Sequence, residues 1–419
     1  MIGNGVVGIL SETINMWERR APLTPSHCER LLNGSTGVTR IIIQPSMKRI
    51  HHDALYEDVG CDVSQNLSDC GLILGVKQPK LEMILPNKAY AFFSHTHKAQ
   101  RENMPLLDKI LLLVGDHGKR LLGFGKFAGR AGVIDMLHGL GIRYLSKGYS
   151  TPFLSIGASY TYPSLAAAKA AVSFVGTEIT THGLPSEICP IVFVFTGDGN
   201  VSQGAQEIFN LLSPVFVVPS SLHELSQMKI QGGHFAQYTS TSKRVHKVFG
   251  CVATSPDMVE HQTRTFDRAD YYAHPEEYNP IFHKKIAPYA SVIVNCMYWE
   301  ERFPRLLSIE QLQELTKNGY DPLSNSYHDD MKDEGVICLA VDNLPAEFAK
   351  EATEHFGDIL LQYVGTLAST KDVSELPSEL RRACIANEGS LTSSYEYIPR
   401  MRNNFSILSD SSEVQQRET

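Results

Sequence analysis

The chain has 419 residues, 42% of them hydrophobic and 20% charged, with a formal net charge of −8. At roughly 100–200 residues per domain this length predicts two domains, and the acidic balance argues against nucleic acid as the main partner. No apolar run approaches the roughly 18 residues of a membrane span. The eight cysteines are scattered without a CxxC pair, which argues against a zinc site or a disulfide framework and fits a reducing compartment.

Gly5-Val-Val-Gly-Ile-Leu10 reads as a first strand. It leaves no room before it for a targeting peptide, so the expected location is cytoplasmic. Thr24 suits a helix N-cap and Pro25 the first helical position, with Ser26 to Leu32 following. Arg19 and Arg20 then lie in a loop between a strand end and a helix start. A guanidinium there either holds a carboxylate in a bidentate fork or is one more solvated charge. Residues 38–44 form a second strand, and Tyr56 to Gly60 ends a short helix.

Cys70 to Pro79 is the next strand and loop, with Lys77 at its C-terminal lip. Open α/β sheets place ligands at such edges. A partly desolvated lysine there acts as a base, although most lysines at strand ends are simply exposed. Tyr90 to Gln100 repeats the layout and carries His95, His97, Lys98 and Gln100. No carboxylate or cysteine flanks the histidines, so no metal is expected there, and a general acid fits better than a metal ligand. Two hydrogen-bonded surface histidines are the plainer alternative. Three successive strand ends thus carry Arg, Lys and His. In one parallel sheet their tips converge on a single edge suited to binding carboxylates and moving protons.

Residues 106–115 are apolar. Asp116 to Arg130 follows, with glycines at 118, 123, 125 and 129 and with Lys119, Arg120, Lys126 and Arg130. A basic cluster in an acidic protein marks anionic ligands. Helices are expected over Ala131–Leu140 and Leu165–Val175, the second connecting two domains.

Pro190 to Phe209 reads as a buried strand, a glycine turn and a helix. Gly197, Gly199 and Gly204 form a variant of the dinucleotide fingerprint with one extra residue before the last glycine. Gly197 makes the turn, Gly199 admits a pyrophosphate to bare backbone, and Gly204 is expected to let the helix pack against its strand. The free N–H groups at the helix start, from Asn200 and Val201 onward, favour phosphates. Asp198 sits awkwardly inside this turn. An ordinary strand–turn–helix corner with nothing bound is the alternative. The next strand, Val215 to Ser220, ends without the acid that would take a ribose 2′-hydroxyl. Ser220 stands there instead, which points to NADP(H) over NAD(H).

Residues 243–254 and 290–299 read as further strands, and Leu306–Thr316 as a helix. Residues 318–330 read as a polar linker and Val336–Val341 as a strand. Leu344–Phe356 and Asp358–Thr366 read as helices. The expected domains are 1–160, with 320–386 packing back on it, and 161–319 for NADP. Residues 387–419 are expected to form a disordered tail.

Trp17-Glu-Arg-Arg-Ala-Pro-Leu-Thr-Pro25, Leu74-Gly-Val-Lys-Gln-Pro79, Phe93-Ser-His-Thr-His-Lys98, Gly118 to Arg130 and the 190–209 fingerprint occur in order. Together they resemble lysine–ketoglutarate reductase, the saccharopine-forming half of plant-type aminoadipic semialdehyde synthase. The resemblance runs from about residue 5 to residue 400. It implies an α/β fold like that of alanine dehydrogenase and transhydrogenase: two Rossmann-like domains with parallel sheets and a cleft between them. It implies NADPH-dependent condensation of L-lysine with 2-oxoglutarate to saccharopine. Lys77 resembles the general base and His95 the general acid, with His97 the choice of a looser alignment. Arg20, Gln100, Arg120 and Phe124 match substrate-contacting positions, and Lys119 a cofactor-contacting one. Expected partners are the two substrates, without nucleic acid or membrane, and a homo-oligomer is left open. The chain departs from the family between Asp108 and Gly115, where it is shorter. It departs again after Thr316, where a further strand and a glycine-rich Cys-Asp-Ile motif are missing, and it lacks the saccharopine-oxidising half. Another amino-acid dehydrogenase of this fold, or an inactive form that only binds ligands or partners, are the alternatives.

Overall fold

The computed structural model describes residues 3–85, 87–96, 123–226, 244–299, 302–317, 338–339, 341, 343–387 and 390–398. They divide into two units. One combines the chain up to Phe124 with Ala349 onward, and the other is Gly125–Phe348.

In chain order the first unit contains β1 (Val6–Ile9), α1 (Pro25–Asn33), β2 (Arg40–Ile43), α2 (Asp53–Glu57), β3 (Asp62–Val63), β4 (Leu72–Lys77) and β5 (Ala89–Phe93). The strands form one parallel sheet in the order β3-β2-β1-β4-β5. Their apolar runs follow from burial on both faces. Ile41 and Ile43 face a cluster with Val7, Ile9, Leu72, Leu74, Phe356 and Leu360. Ile42, one residue out of step, joins Ile73, Tyr90, Phe92, Tyr395 and Ile398 on the other face. The start of α1 is as read from sequence: Thr24 caps the His27 N–H, and Pro25 opens the helix.

The C-terminal part departs from expectation twice. One continuous helix, Ala349–Ser369, replaces the two expected, and Leu344–Ala346 is a separate 3-10 turn. Gly357 does not break the helix. It makes room, because a Cβ there would lie 2.2 Å from Nδ1 of His27. Of the tail expected to begin at 387, the described residues 387 and 390–398 are ordered. Ala386–Asn387 pairs with Ser390–Leu391, and Tyr395 and Ile398 are buried. The polar composition of this stretch obscured two apolar anchors.

The second unit begins with α3 (Gly125–Ser146) and α4 (Leu165–His182). Its strands are β6 (Leu184–Pro185), β7 (Val192–Thr196), β8 (Val215–Phe216), β9 (Arg244–Val245), β10 (Phe249–Ala253), β11 (Val259–His261), β12 (Tyr278–Pro280) and β13 (Val292–Asn295). Helix α5 (Asn200–Phe209) follows β7. The boundary lies at 124/125 rather than 160/161, because α3 packs along α5. A Cβ on Gly129 would lie 2.0 Å from the Val201 carbonyl oxygen.

The main sheet is parallel, in the order β13-β7-β10-β8. Fingerprint logic expects the second strand beside the first, yet β10 stands between β7 and β8. Four of the five β10 residues are buried, whereas Val215 and Phe216 are only partly covered. The better-buried run takes the inner place, and the short one the edge. Gly250 permits this, since a Cβ there would strike the Phe209 and Phe216 rings. Of the strand expected at 336–341, residues 336, 337 and 340 lie outside the described residues, and 338, 339 and 341 are in no strand.

Candidate active site

In the first unit the sheet edge at the ends of β1, β4 and β5 gathers chemistry. These strands are neighbours and parallel, so the chain segments carrying Arg20, Lys77 and His95 leave from one edge. His95 takes φ +56, a left-handed conformation rare for residues other than glycine.

Arg20 is not a solvated loop charge. Its Nε and Nη2 reach the Glu18 carboxylate at 2.7 and 2.6 Å, with both side chains almost wholly buried. The guanidinium lies 4.1 Å from the Phe124 ring centroid. Phe124 stacks on Phe356 at 5.0 Å, and both rings touch Phe93. The two described residues expected to contact substrate, Arg20 and Phe124, therefore lie against each other. Gln100 and Arg120, the other two, lie outside the described residues, as do His97 and Lys119.

Sequence reasoning missed Glu12 and Glu18. Glu12 is 6% exposed, and its carboxylate accepts the Val76 and Lys77 N–H groups. Burial pushes its pKa up to about 7, against those two bonds; Glu18 adds to the rise and Arg20 opposes it. The available signal was position: Glu12 follows β1 closely, and Glu18 lies two residues before a buried arginine. Lys77, Glu12, Gln44 and Gln78 line one small pocket at this edge.

In the second unit the glycine turn lies at the end of β7. Gly197 has φ +77, and its N–H donates to Ala253 at 2.7 Å, tying the turn to β10. A Cβ on Gly199 would meet nothing within 4 Å, so the backbone there is open. Gly199 caps α5 without a side-chain bond, which leaves amides free for an anion. Asp198 is exposed beside it. The chain runs from β7 through α5 to β8 and β10 on one side, and then to β13 on the other. The ends of β7 and β13 thus mark the switch point where open α/β sheets bind ligands. There Thr196 bonds Asn295 at 2.9 Å and accepts the Cys296 N–H. These features fit a dinucleotide.

Three residues expected at the cofactor sit or serve elsewhere. A Cβ on Gly204 would lie 2.1 Å from the Lys126 carbonyl oxygen, so this glycine serves the crossing of α5 with α3 rather than packing on β7. Val201 is drawn into the same crossing by Gly125 and Gly129, while Asn200 remains exposed. Ser220 sits in a 3-10 turn after β8, one strand away from the position beside β7. The strand beside the turn, β10, runs into Thr254, Ser255, Pro256 and Asp257. The Asp257 carboxylate is occupied by the Thr254 N–H and hydroxyl, both at 2.8 Å.

Elsewhere in this unit His261, Asp270 and Glu277 approach within metal-holding reach of one another. Arg264 already engages the carboxylates, at 3.0 Å from Glu277 and 3.5 Å from Asp270.

The description "Alanine dehydrogenase/PNT, N-terminal domain" fits residues 8–112. An alpha-aminoadipic semialdehyde synthase of Arabidopsis thaliana is 62% identical over 448 residues, covering 96% of this chain and 42% of that protein. The mitochondrial enzyme of the same name from Bos taurus is 35% identical, covering 95% of this chain and 48% of its own length. The chain thus spans about half the length of these relatives. The 448-position match also exceeds the chain's 419 residues, so the Arabidopsis protein carries extra residues within it. Among solved structures, an L-alanine dehydrogenase matches with TM-score 0.57 at 15% identity, covering 95% of this chain and 99% of its own. A transhydrogenase from Sinorhizobium meliloti matches with TM-score 0.50 at 12% identity, covering 92% and 100%. The chain is therefore similar along nearly its whole length to one part of the alpha-aminoadipic semialdehyde synthases, and it has the alanine dehydrogenase/transhydrogenase fold.

Proposed function

We propose that the chain is an oxidoreductase of lysine catabolism that condenses L-lysine with 2-oxoglutarate and reduces the product to saccharopine with NADPH. The observation that carries this reading is the shared edge of β1, β4 and β5, where Arg20, Lys77 and His95 leave one parallel sheet. The strong similarity to aminoadipic semialdehyde synthase supports the choice of substrates.

The chemistry asks for a base and an acid close to carboxylate-binding groups. The substrate ε-ammonium must lose a proton before its nitrogen attacks the keto carbon, and Lys77 as a free amine takes that proton. The resulting carbinolamine loses water when His95 protonates the departing hydroxyl. Arg20 and Phe124, with Gln100 and Arg120, orient the substrate carboxylates and chain. Arg20 reaches this role through exchange of Glu18 for substrate, or by holding Phe124 in place. A bound nicotinamide would supply the hydride for the reduction. Gly197, Gly199, Asn200 and the free amides of α5 would hold its pyrophosphate, with Lys119 as a further contact. Ser220, moved to the sheet edge, weakens the sequence argument for the 2′-phosphate, so NADP(H) rests here on the resemblance.

The proposed location is the cytosol, on eight cysteines that form no disulfide; the bovine relative is named mitochondrial. A second reading, binding without turnover, is favoured by the extra residues in the Arabidopsis relative. NADPH oxidation by the purified chain, with lysine and 2-oxoglutarate omitted in turn, decides between them. A rate that needs both substrates supports the reductase. A folded chain with no rate supports binding alone, and a rate with a single amino or keto acid redirects the assignment to another dehydrogenase.

A further inference from the structure

Strand β4 does not pair evenly with β5. Leu74 faces Ala91 while Lys77 faces Phe93, so three steps along one strand match two along the other. This is a bulge, a device that re-aims side chains next to functional sites. On its other side β4 pairs with β1 only as far as Leu74, and the last ladder bond there runs from the Leu10 N–H to the Leu74 oxygen. The Val76 and Lys77 N–H groups lie past the end of that ladder.

One side chain takes both. Oε1 of Glu12 accepts the Val76 N–H at 2.5 Å, and Oε2 accepts the Lys77 N–H at 2.9 Å. Glu12 reaches them with φ +40, a backbone conformation disfavoured for a residue with a Cβ. Gly75 leaves the space: a Cβ there would lie 2.8 Å from Leu10 and 3.4 Å from Oε1 of Glu12. Two costs, a buried carboxyl and a left-handed backbone, thus fall on the residue that meets the bulged end of β4.

We propose that Glu12 is a positioning residue for Lys77: it clamps the bulged end of β4, fixing the place from which the lysine amine acts. The inference rests on Lys77 being the base of the reaction proposed above. The charged groups acting on Glu12 are Glu18 and Arg20 from the loop after β1, while its own carboxylate meets β4 at Lys77. Gln44, after β2, adds a neutral amide to the same pocket. Weakening the clamp frees the bulged end of β4 and takes the Lys77 amine out of its fixed surroundings, so the pH at which it gives up its proton shifts.

The test uses Glu12→Gln and Glu12→Ala in the full chain. Lys77 is titrated by competitive acetylation with acetic anhydride across pH and read by mass spectrometry of its peptide, a measurement that needs no turnover. In Glu12→Gln the amide oxygen still accepts a hydrogen bond, so the fold is kept. The Lys77 midpoint is expected to shift by roughly half a pH unit or more. The kcat should drop about 10-fold or more while the KM for NADPH stays within about 2-fold. Glu12→Ala should lose more kcat, and if it fails to fold the Gln variant carries the test. A Gln variant whose Lys77 titrates as in the parent, or one with an unchanged kcat, overturns the proposal. A parent with no turnover removes the proposed reaction instead, and the acetylation midpoint alone then decides whether Glu12 governs Lys77.

Discussion

Glu18 receives Arg20 on two prongs, at 2.7 and 2.6 Å, where neither side chain meets solvent. A guanidinium in that setting cannot be left alone. Glu18→Ala is expected to cost about 3–5 kcal/mol, because it removes the bidentate partner of a buried cation. Chemical denaturation reads this as a lower midpoint, and an unchanged midpoint would show that solvent reaches Arg20. Arg20→Lys should not restore stability, since one ammonium cannot replace the fork.

Two glycines of one fingerprint should separate. Gly199→Ala meets empty space at an ordinary φ, so thermal stability should hold while NADPH affinity falls. Gly204→Ala drives a methyl into the Lys126 carbonyl, so the melting temperature should fall, with a cost of roughly 1–3 kcal/mol or more. Calorimetry together with NADPH fluorescence titration measures both. Equal effects on affinity with no loss of stability in Gly204→Ala would mean that α3 and α5 do not cross so closely.

Lys77→Met keeps the length of the side chain and removes its amine. Turnover should fall by at least about 100-fold, within the range for loss of a general base. NADPH affinity should stay nearly unchanged, because the glycine turn belongs to the other unit. A fully active variant would take Lys77 out of the mechanism.

Glu347 sets a pH dependence. Burial first, then the neighbouring Asp135, pushes its pKa up to about 8 from an ordinary 4.5. The folded chain therefore keeps a proton that the unfolded chain releases. The stabilisation is fully present below about pH 4.5 and is lost as pH rises to about 8. Glu12, raised to about 7, acts in the same direction. The melting temperature should fall between about pH 5 and pH 8, and Glu347→Gln should flatten part of that fall. Parallel curves for parent and variant would show that Glu347 titrates normally in the folded state.

Much of this was readable from residue patterns because the cause was local. The apolar runs of β1, β4, β5 and β7 announce buried strands, and Thr24-Pro25 announces a helix start. The alignment of strand ends that joins Lys77 with His95 followed from those runs alone. What stayed hidden depends on partners far along the chain. Gly204 looks the same in sequence whether it faces a strand or Lys126. The place of β10 beside β7 rests on Gly250 admitting two distant rings. Glu12 reads as one more charge until the end of β4 brings it the Val76 and Lys77 N–H groups. Gly357 suggests a helix break until His27, 330 positions earlier, takes its space.

The first unit is assembled from both ends of the chain. Val7, Ile9 and Leu31 share a core with Phe356, Leu360, Val364 and Leu367. A ribosome delivers the strands early and their covering helix more than two hundred and fifty residues later. The intervening unit has its whole length available first and can close before that. Until then that face of the five-stranded sheet is covered only in part, by α1 and α2, and its remaining leucines and isoleucines are open to chaperones or to another nascent chain. Expression of this protein should therefore be more sensitive to damage in Ala349–Ser369 than to equal damage in α4, although both are long helices.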